Sequence, residues 1–134
     1  HGLALDPDLI FSSKPNEAGG YAVAQQLLGK KDRPTAILLV NETIAIGFYR
    51  GMNEAGVKPG RDIAVIGRHS PQSHFLSPSL TGFTLSRRDL GIALAEALLA
   101  TMPAFSHFYP DTQLRKVWPE DLVEGESDAF TLSV

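Results

Sequence analysis

The chain has 134 residues, enough for one domain or for part of a larger one, and 43% of them are apolar. Its formal net charge is −3, so this chain on its own is a poor candidate for wrapping nucleic acid, which requires a basic face. The absence of cysteine excludes disulfides and thiolate metal sites. No apolar run reaches the roughly 18 residues that a membrane-spanning helix needs, so none is predicted.

A short strand and a helix are predicted at the start of the chain. Leu9–Ser12 is a short apolar run, which is typical of a strand. Asn16 is a candidate helix N-cap, because apolar residues follow it at helical spacing, and Gly29 is predicted to end the helix. Lys14 and Pro15 lie between these two elements. We therefore expect them at the carboxyl end of the strand.

The central stretch of the chain predicts a strand, a helix and a second strand. Thr35–Val40 is an unbroken apolar run, typical of a strand covered on both faces, and Asp62–Gly67 is another. Between them, apolar residues recur at helical spacing until Gly56, which is predicted to stop the helix. A strand, a helix and a second strand in this order form a right-handed crossover unit with parallel strands.

The rest of the chain predicts a strand, a helix and a last strand. Residues 71–78 show no helical pattern and are predicted to be irregular. Leu80–Thr84 is predicted as a strand and Gln113–Trp118 as the last one. Between them, Ser86 is a candidate cap for a helix that ends before Pro103. This order of elements predicts an α/β fold with a mostly parallel sheet and helices on both faces.

Asn41 and Glu42 come directly after the strand Thr35–Val40. In open α/β sheets ligands bind outside the carboxyl ends of the strands, and an Asn side chain offers both a donor and acceptors to a pair of hydroxyls. The competing interpretation is structural: Asn41 caps the next helix and Glu42 complements its dipole. Both interpretations stay open, because one side chain can partly serve both roles.

Polar residues also follow the strand Asp62–Gly67, where we expect the mouth of any cleft. Arg68 can hold a carboxylate or a phosphate, and His69 can donate or accept according to its tautomer. The competing interpretation is an ordinary surface loop. Lys14 is a further candidate for ligand contact at the same sheet end, and a plain turn is the alternative there.

No motif of catalysis or metal binding is present. His69 and His74 lie in a loop without a carboxylate motif beside them, which does not predict a metal site. The sequence contains no Gly-x-Ser-x-Gly, no Walker motif and no Gly-x-Gly-x-x-Gly. We therefore predict no catalytic residue, no metal, no cofactor and no enzymatic activity.

Several short motifs follow one another in a specific order and spacing: Pro34-Thr-Ala-Ile37, Asn41, Ala45-x-Gly47, Glu54-Ala-Gly56, Pro59-x-x-Asp62-Ile-x-Val-Ile-Gly67, Leu76-x-Pro78-x-Leu80-Thr81 and Leu90-Gly91-x-x-Leu94-Ala95. Together they resemble the effector-binding module of the LacI/GalR-type bacterial transcription regulators. The resemblance runs from about Leu9 to Leu122.

This resemblance implies a type I periplasmic-binding-protein fold, in which two α/β subdomains hold a ligand between them. Residues 1–134 resemble its C-terminal subdomain, and we expect the N-terminal subdomain and the DNA-binding helix-turn-helix to lie outside this chain. The resemblance also implies a cytoplasmic homodimer without a membrane partner. Its small-molecule effector would change the affinity for operator DNA by shifting the population of conformations.

Within that resemblance, Asn41 matches the ligand-contacting Asn of the family. His69 falls where an Asp that binds effector hydroxyls is usual, Arg68 at an aromatic position, and Pro15 where an aromatic residue often stacks on a sugar or base. Such exchanges remove negative charge and a stacking platform. They predict an effector with an acidic group, such as a sugar acid or a phosphosugar, instead of a plain neutral sugar. A degenerate site without an effector is the other possible outcome.

The main alternative function is that of a secreted sugar-binding protein from a transport system, which shares the fold. The segment Leu76–Thr81 resembles the regulator branch more closely than the transport branch. An enzyme with a doubly wound sheet is a third alternative, and the lack of a catalytic constellation makes it the weakest.

Overall fold

The computed structural model describes residues 2, 4 and 6–129 of the chain. The chain divides into two compact units, one formed by His1–Phe83 with Leu122–Val134 and the other by Thr84–Asp121. None of the helices in the described part of the chain is long and apolar enough to cross a membrane.

Three α-helices and four strands form the regular structure of the described residues. The helices are α1 (Glu17–Leu28), α2 (Glu42–Glu54) and α3 (Arg87–Thr101), and the strands are β1 (Ala36–Leu38), β2 (Ala64–Arg68), β3 (Thr81–Thr84) and β4 (Asp121–Val123). Short 3₁₀ turns occur at Pro7–Leu9, Pro71–Phe75 and Ser106–Phe108. The strands lie in the order β1-β2-β3-β4, and β2 is parallel to both of its neighbours. This confirms the prediction of an α/β fold with a mostly parallel sheet.

Each α-helix begins at a side-chain cap that the sequence identifies. The side-chain oxygens of Asn16 and Asn41 accept a hydrogen bond from the backbone N–H three residues on, at 2.9 and 2.8 Å. Ser86 does the same for α3, at 3.2 Å. These bonds satisfy one of the backbone donors that the first turn of a helix leaves unpaired. Local side-chain chemistry therefore sets the start of all three helices.

The core of the first unit lies on one face of the sheet. Val65 of β2, opposite Ile37 of β1, is fully buried, and so is Leu80 just before β3. They pack with the apolar faces of α1 and α2, whose largest buried side chains are Leu27, Phe48 and Met52. Removal of this apolar surface from water is the main force that holds the two helices on the sheet.

Glycines allow the backbones of α1 and α2 to come very close to each other. A Cβ atom added to Gly20 would overlap the backbone carbonyl of Ile44, and one added to Gly47 would overlap that of Glu17. Glycine within a helix lowers the stability of the helix by about 1 kcal/mol relative to alanine, so packing must compensate for this loss. The close contact between the two helices provides that compensation.

The prediction that the first central strand, Thr35–Val40, is covered on both faces is wrong. Leu38 and Val40 are 72% and 69% exposed. The reason is that α1 and α2 pack together on the same face, while β1 lies at the edge of the sheet. The apolar run Thr35–Val40 therefore has one buried and one open face.

The predicted strands at the two ends of the chain are also wrong. Leu9–Ser12 does not form a strand: Leu9 ends the 3₁₀ turn Pro7–Leu9, which Asp6 caps by accepting a hydrogen bond from Asp8 N at 2.9 Å, and residues 10–12 are irregular. Gln113–Trp118 is irregular, and β4 comes after it, at Asp121–Val123. Most of β4 belongs to the first unit, which also contains β1, β2 and most of β3, whereas Gln113–Trp118 lies in the second.

The segment 124–128 ties β2 to β3. Ser127 is fully buried, and its hydroxyl donates to the carbonyl of Val65 at 2.5 Å and accepts from the amide of Thr81 at 2.8 Å. The amide of Val65 donates back to the carbonyl of Ser127 at 2.8 Å. Asp128 accepts a hydrogen bond from the hydroxyl of Thr81 at 2.6 Å. This clasp joins two strands that precede the second unit to a segment that follows it.

The second unit contains α3 and the 3₁₀ turn Ser106–Phe108. No residue of α3 is buried, and Leu94 and Leu98 on its apolar stripe are both 63% exposed. Arg88 lies 3.8 Å from the carboxylate of Asp89 in the first turn, an exposed ion pair that contributes little to stability. The helix is thus defined by its cap and its periodicity, without a core of its own.

Candidate functional site

The carboxyl ends of β1 and β2 lie at the same edge of the sheet. The two strands are parallel, and Leu38 of β1 lies opposite Ile66 of β2. Asn41 and His69 each follow three residues later in the chain. The structure therefore brings both predicted residues to one edge, where ligands of open α/β sheets bind.

Asn41 is half-buried at the start of α2, and its side-chain oxygen is engaged in the cap. This oxygen accepts a hydrogen bond from the amide of Ile44 at 2.8 Å. The structural interpretation of Asn41 as a helix cap is therefore correct, but the cap uses only the oxygen of the side-chain amide. The side-chain nitrogen retains two hydrogens that a ligand oxygen can accept.

His69 is held in place by its backbone and by a second histidine. Its amide donates to the carbonyl of Phe83 in β3 at 2.8 Å. Its ring packs edge-to-face against that of His74, with the ring centroids 4.7 Å apart and the planes at 73°. The Nε2 atom of His69 is shielded from solvent and has no hydrogen-bond partner. A buried polar atom of this kind is rare in folded proteins and calls for an explanation.

Three effects set the charge of His69. Burial lowers the pKa of its imidazole, because a charged ring is poorly solvated there, and a positive charge on His74 would lower it further. The carboxylate of Glu42, in the first turn of α2, acts in the opposite direction and raises it. The net pKa of His69 is below its ordinary value, so the uncharged imidazole is favoured at neutral pH.

The position of His74 depends on the short 3₁₀ turn Pro71–Phe75. Residues 71–78 were expected to be irregular, but Pro71–Phe75 forms a turn capped by Ser70. The amide of Ser70 donates to the hydroxyl of Ser73 at 3.0 Å, and both of these serines are buried. A Ser followed by Pro at the first helical position is the signal that identifies such a start.

The other predicted residues occupy different surroundings. Arg68 is the last residue of β2 and not the first after it; it is exposed and lies opposite Phe83. Lys14 is exposed, and its carbonyl accepts a hydrogen bond from the amide of Asn16 at 2.9 Å. This carbonyl helps to form the turn before α1, in line with the alternative of a plain turn.

Pro15 lines an apolar groove beside the edge strand β1. The groove has a volume of about 640 Å³, and its lining includes Phe11, Leu38 and Val40. Asn41, Lys14, Arg68 and His69 are not among the residues that line it. Of the five predicted residues, the structure thus brings Asn41, Arg68 and His69 to the carboxyl edge of β1 and β2, whereas Pro15 faces a separate apolar surface.

Within the described residues, no three His, Asp or Glu side chains form a group that could hold a metal ion. The chemistry available at the sheet edge is hydrogen bonding and charge: an amide donor, two imidazoles, a guanidinium and one carboxylate. This set suits recognition of a polar or anionic small molecule.

Residues 1–127 match the model of the family described as periplasmic binding protein-like domain. The ribose operon repressor of Haemophilus influenzae is 32% identical to the chain over 98 residues, which make up 72% of this chain and 30% of that protein. The lactose operon repressor of Rhizobium radiobacter is 36% identical over 81 residues, or 60% of this chain and 72% of that sequence.

Among solved structures, the chain is similar to a LacI family transcriptional regulator from Enterococcus faecalis with bound ribose. The TM-score is 0.72 at 30% sequence identity, and the match covers 88% of this chain and 42% of that one. The chain spans about a third of the length of most of the repressors that it matches.

Proposed function

Because the chain belongs to the periplasmic-binding-protein-like domain family, in its LacI/GalR-type branch of regulator effector-binding domains, we propose that it senses a sugar or a sugar-derived molecule and thereby switches the affinity of a repressor for operator DNA. Residues 1–134 are the C-terminal part of the effector-binding domain in this proposal. The N-terminal subdomain and a helix-turn-helix come from other parts of a longer cytoplasmic protein.

The observation that carries this proposal is the shared edge of Asn41 and His69. Two polar side chains at the carboxyl ends of adjacent parallel strands can contact one ligand together. The relatives named above are repressors, and one similar regulator is described with bound ribose, which supports a sugar as the class of effector. No catalytic activity is part of this proposal, since the edge offers hydrogen bonds and charge for binding.

The proposed effector carries an acidic group. Arg68, with a permanent positive charge, lies at the same edge as His69, which can become positive. A carboxylate or a phosphate gains charge-assisted hydrogen bonds from such groups, and a neutral sugar does not. A sugar acid or a phosphosugar therefore fits the edge better than a neutral hexose.

The switch in this proposal is a population shift. An effector that contacts both subdomains favours one closure angle by the difference in its affinity for the two states. In a homodimer that closure changes the spacing of two DNA-binding heads, and linkage requires that operator DNA in turn changes effector affinity by the same factor.

The test is effector binding by the full-length protein, measured by thermal shift and calorimetry with D-ribose, D-ribose 5-phosphate and D-galacturonate. Asn41→Ser is the informative variant, because serine keeps an oxygen that caps α2 but lacks the two amide hydrogens. We expect about tenfold weaker binding with an almost unchanged melting temperature.

Asn16→Ser is the matched control, since Asn16 caps α1 through the same type of hydrogen bond. It is expected to bind like the wild type. Absence of binding by all three probes, or equal affinities of the two variants, would contradict the proposal. Tightest binding of neutral D-ribose would contradict the acidic effector alone.

A further inference from the structure

Two imidazoles meet at the sheet edge, and only one of them occupies a position that the resemblance assigns to the effector. His74 is exposed in the 3₁₀ turn Pro71–Phe75, and its ring contacts that of half-buried His69 at 4.7 Å between centroids. The serine bonds of this turn, between Ser70 and Ser73, fix the backbone immediately before His74. The turn therefore holds His74 beside His69 at this edge of the sheet.

The unpaired Nε2 of His69 indicates that the edge is incomplete without a further polar group. In the described structure this nitrogen is shielded from solvent and bonds to no atom. Native proteins rarely leave such an atom unsatisfied, because its desolvation is not offset. The exposed ring of His74 contacts the ring of His69, so a ligand group that reaches this nitrogen lies close to both imidazoles.

Charged groups face His69 from several elements. Glu42 at the start of α2 brings a negative charge, His74 in the turn can bring a positive one, and Arg68 precedes His69 in the chain. From β3, Phe83 provides only a backbone carbonyl, which bonds the amide of His69. Two protonated imidazoles at this distance repel each other, and an anion between them would remove that repulsion.

Building on the proposed function, we propose that His69 and His74 form one imidazole pair that grips the carboxylate or phosphate of the effector. His74 is the specificity-determining residue in this pair, because it adds a second donor and turns the first one toward the anion. A neutral imidazole already carries one N–H that can donate to the anion; the second nitrogen of a ring can donate only after that ring has taken up one proton from solvent.

The pair makes effector affinity dependent on pH in a defined direction. Without ligand, burial and a positive charge on His74 lower the pKa of His69, which favours the uncharged form of its imidazole. A bound anion raises the pKa of the ring that donates to it. Affinity for an anionic probe should therefore rise as the pH falls from about 8 to 6, by up to about tenfold per pH unit for one proton taken up.

The experiment is calorimetric titration of the full-length protein at several pH values in this range. The probes are D-ribose 5-phosphate, D-galacturonate, inorganic phosphate and D-ribose, each in two buffers of different ionisation enthalpy so that proton uptake is counted directly. His74→Phe keeps an aromatic edge against His69 but cannot be protonated. His107→Phe is the matched control, because His107 is another exposed histidine next to a phenylalanine ring, in the second unit.

We expect His74→Phe to lower the affinity for the sugar-borne anion about tenfold at the acidic end and to flatten its pH profile, with D-ribose unaffected. His107→Phe should leave the affinity for the anionic probe and its pH dependence unchanged. If the affinity for inorganic phosphate depends on pH as the affinity for D-ribose 5-phosphate does, the pair is supported and the anion itself is the group that it binds. Much weaker binding of inorganic phosphate also supports the pair, with the sugar ring as a further part of the ligand.

If an anionic probe binds and His74→Phe does not change the pH dependence of its affinity, the proposed imidazole pair is contradicted. The proposed function is not contradicted by that result. Failure of every probe at every pH contradicts the proposed function, and the pair is rejected with it. Melting temperatures of both variants, measured in parallel, establish that each is folded during the titration.

Discussion

The helices α2 and α3 begin in the same way but differ in what surrounds them. Both have a side-chain cap and an apolar stripe, yet α2 buries seven residues and α3 none. The first unit provides α2 with a second helix and one face of a sheet. The difference teaches that capping and periodicity define where a helix lies, whereas burial depends on a second layer within the same unit. The two units should accordingly respond differently to equivalent substitutions.

Truncation of a core side chain should give the largest contrast. Phe48→Ala removes a fully buried ring of α2 and should lower the free energy of unfolding by about 3–5 kcal/mol. Leu94→Ala in α3 removes a side chain that is 63% exposed and should cost less than about 1 kcal/mol. Urea unfolding of both variants tests this. A loss for Leu94→Ala equal to that for Phe48→Ala would show that α3 has a core after all.

Alanine in place of glycine should have opposite effects in the two helices. Gly47→Ala places a methyl group onto the carbonyl of Glu17 and should destabilise the protein by about 1–3 kcal/mol. Gly91→Ala in α3 meets open space and should increase stability by up to about 1 kcal/mol, because alanine has the higher helix propensity. Thermal unfolding monitored by circular dichroism measures both. A change in stability of the same sign in both variants would contradict the expected contrast between α2 and α3.

The smallest expected effect is a pH dependence in the first unit. Hydrogen bonds from Arg61 and from the amide of Lys58 lower the pKa of Asp62 to about 2, below its ordinary value of 3.8. Since the folded-state pKa is depressed, the stabilisation is present above about pH 4 and is lost as the pH falls through 2. The Asp62→Asn variant should therefore unfold more easily than the wild type at neutral pH, and this difference should vanish on acidification.

Asp89→Asn in α3 is the control for that measurement, because its ion pair with Arg88 spans 3.8 Å and is exposed. We expect a smaller change in the unfolding midpoint for this variant. A pH-independent difference between wild type and Asp62→Asn would contradict the assigned cause.

Local patterns in the sequence predict the helices well, because their signals are carried by neighbouring residues. The caps Asn16, Asn41 and Ser86 and the terminating Gly29 are all found where expected. Strands depend on partners far along the chain, and these are harder to predict. The apolar run Leu9–Ser12 looks like a strand in isolation, yet in the described structure it pairs with no other strand.

One part of the candidate site follows from the sequence and another does not. Two parallel strands joined by a helix must end at one edge, so the common location of Asn41 and His69 is predictable. The contact between His69 and His74 is not, because it depends on a short turn and on the relative orientation of two rings. Arg68 and Lys14 carry charges whose role depends on a ligand, and their functions stay predictions.

The clasp at Ser127 has a consequence for the order in which this protein is made. Ribosomes release chains from the amino terminus, so β2 and β3 emerge before the serine that joins the carbonyl of Val65 to the amide of Thr81. Until then both groups depend on water for hydrogen bonds. The sheet is thus completed only after the whole of Thr84–Asp121 has been translated, and a nascent chain arrested before residue 127 should be cut by proteases more readily than the finished one.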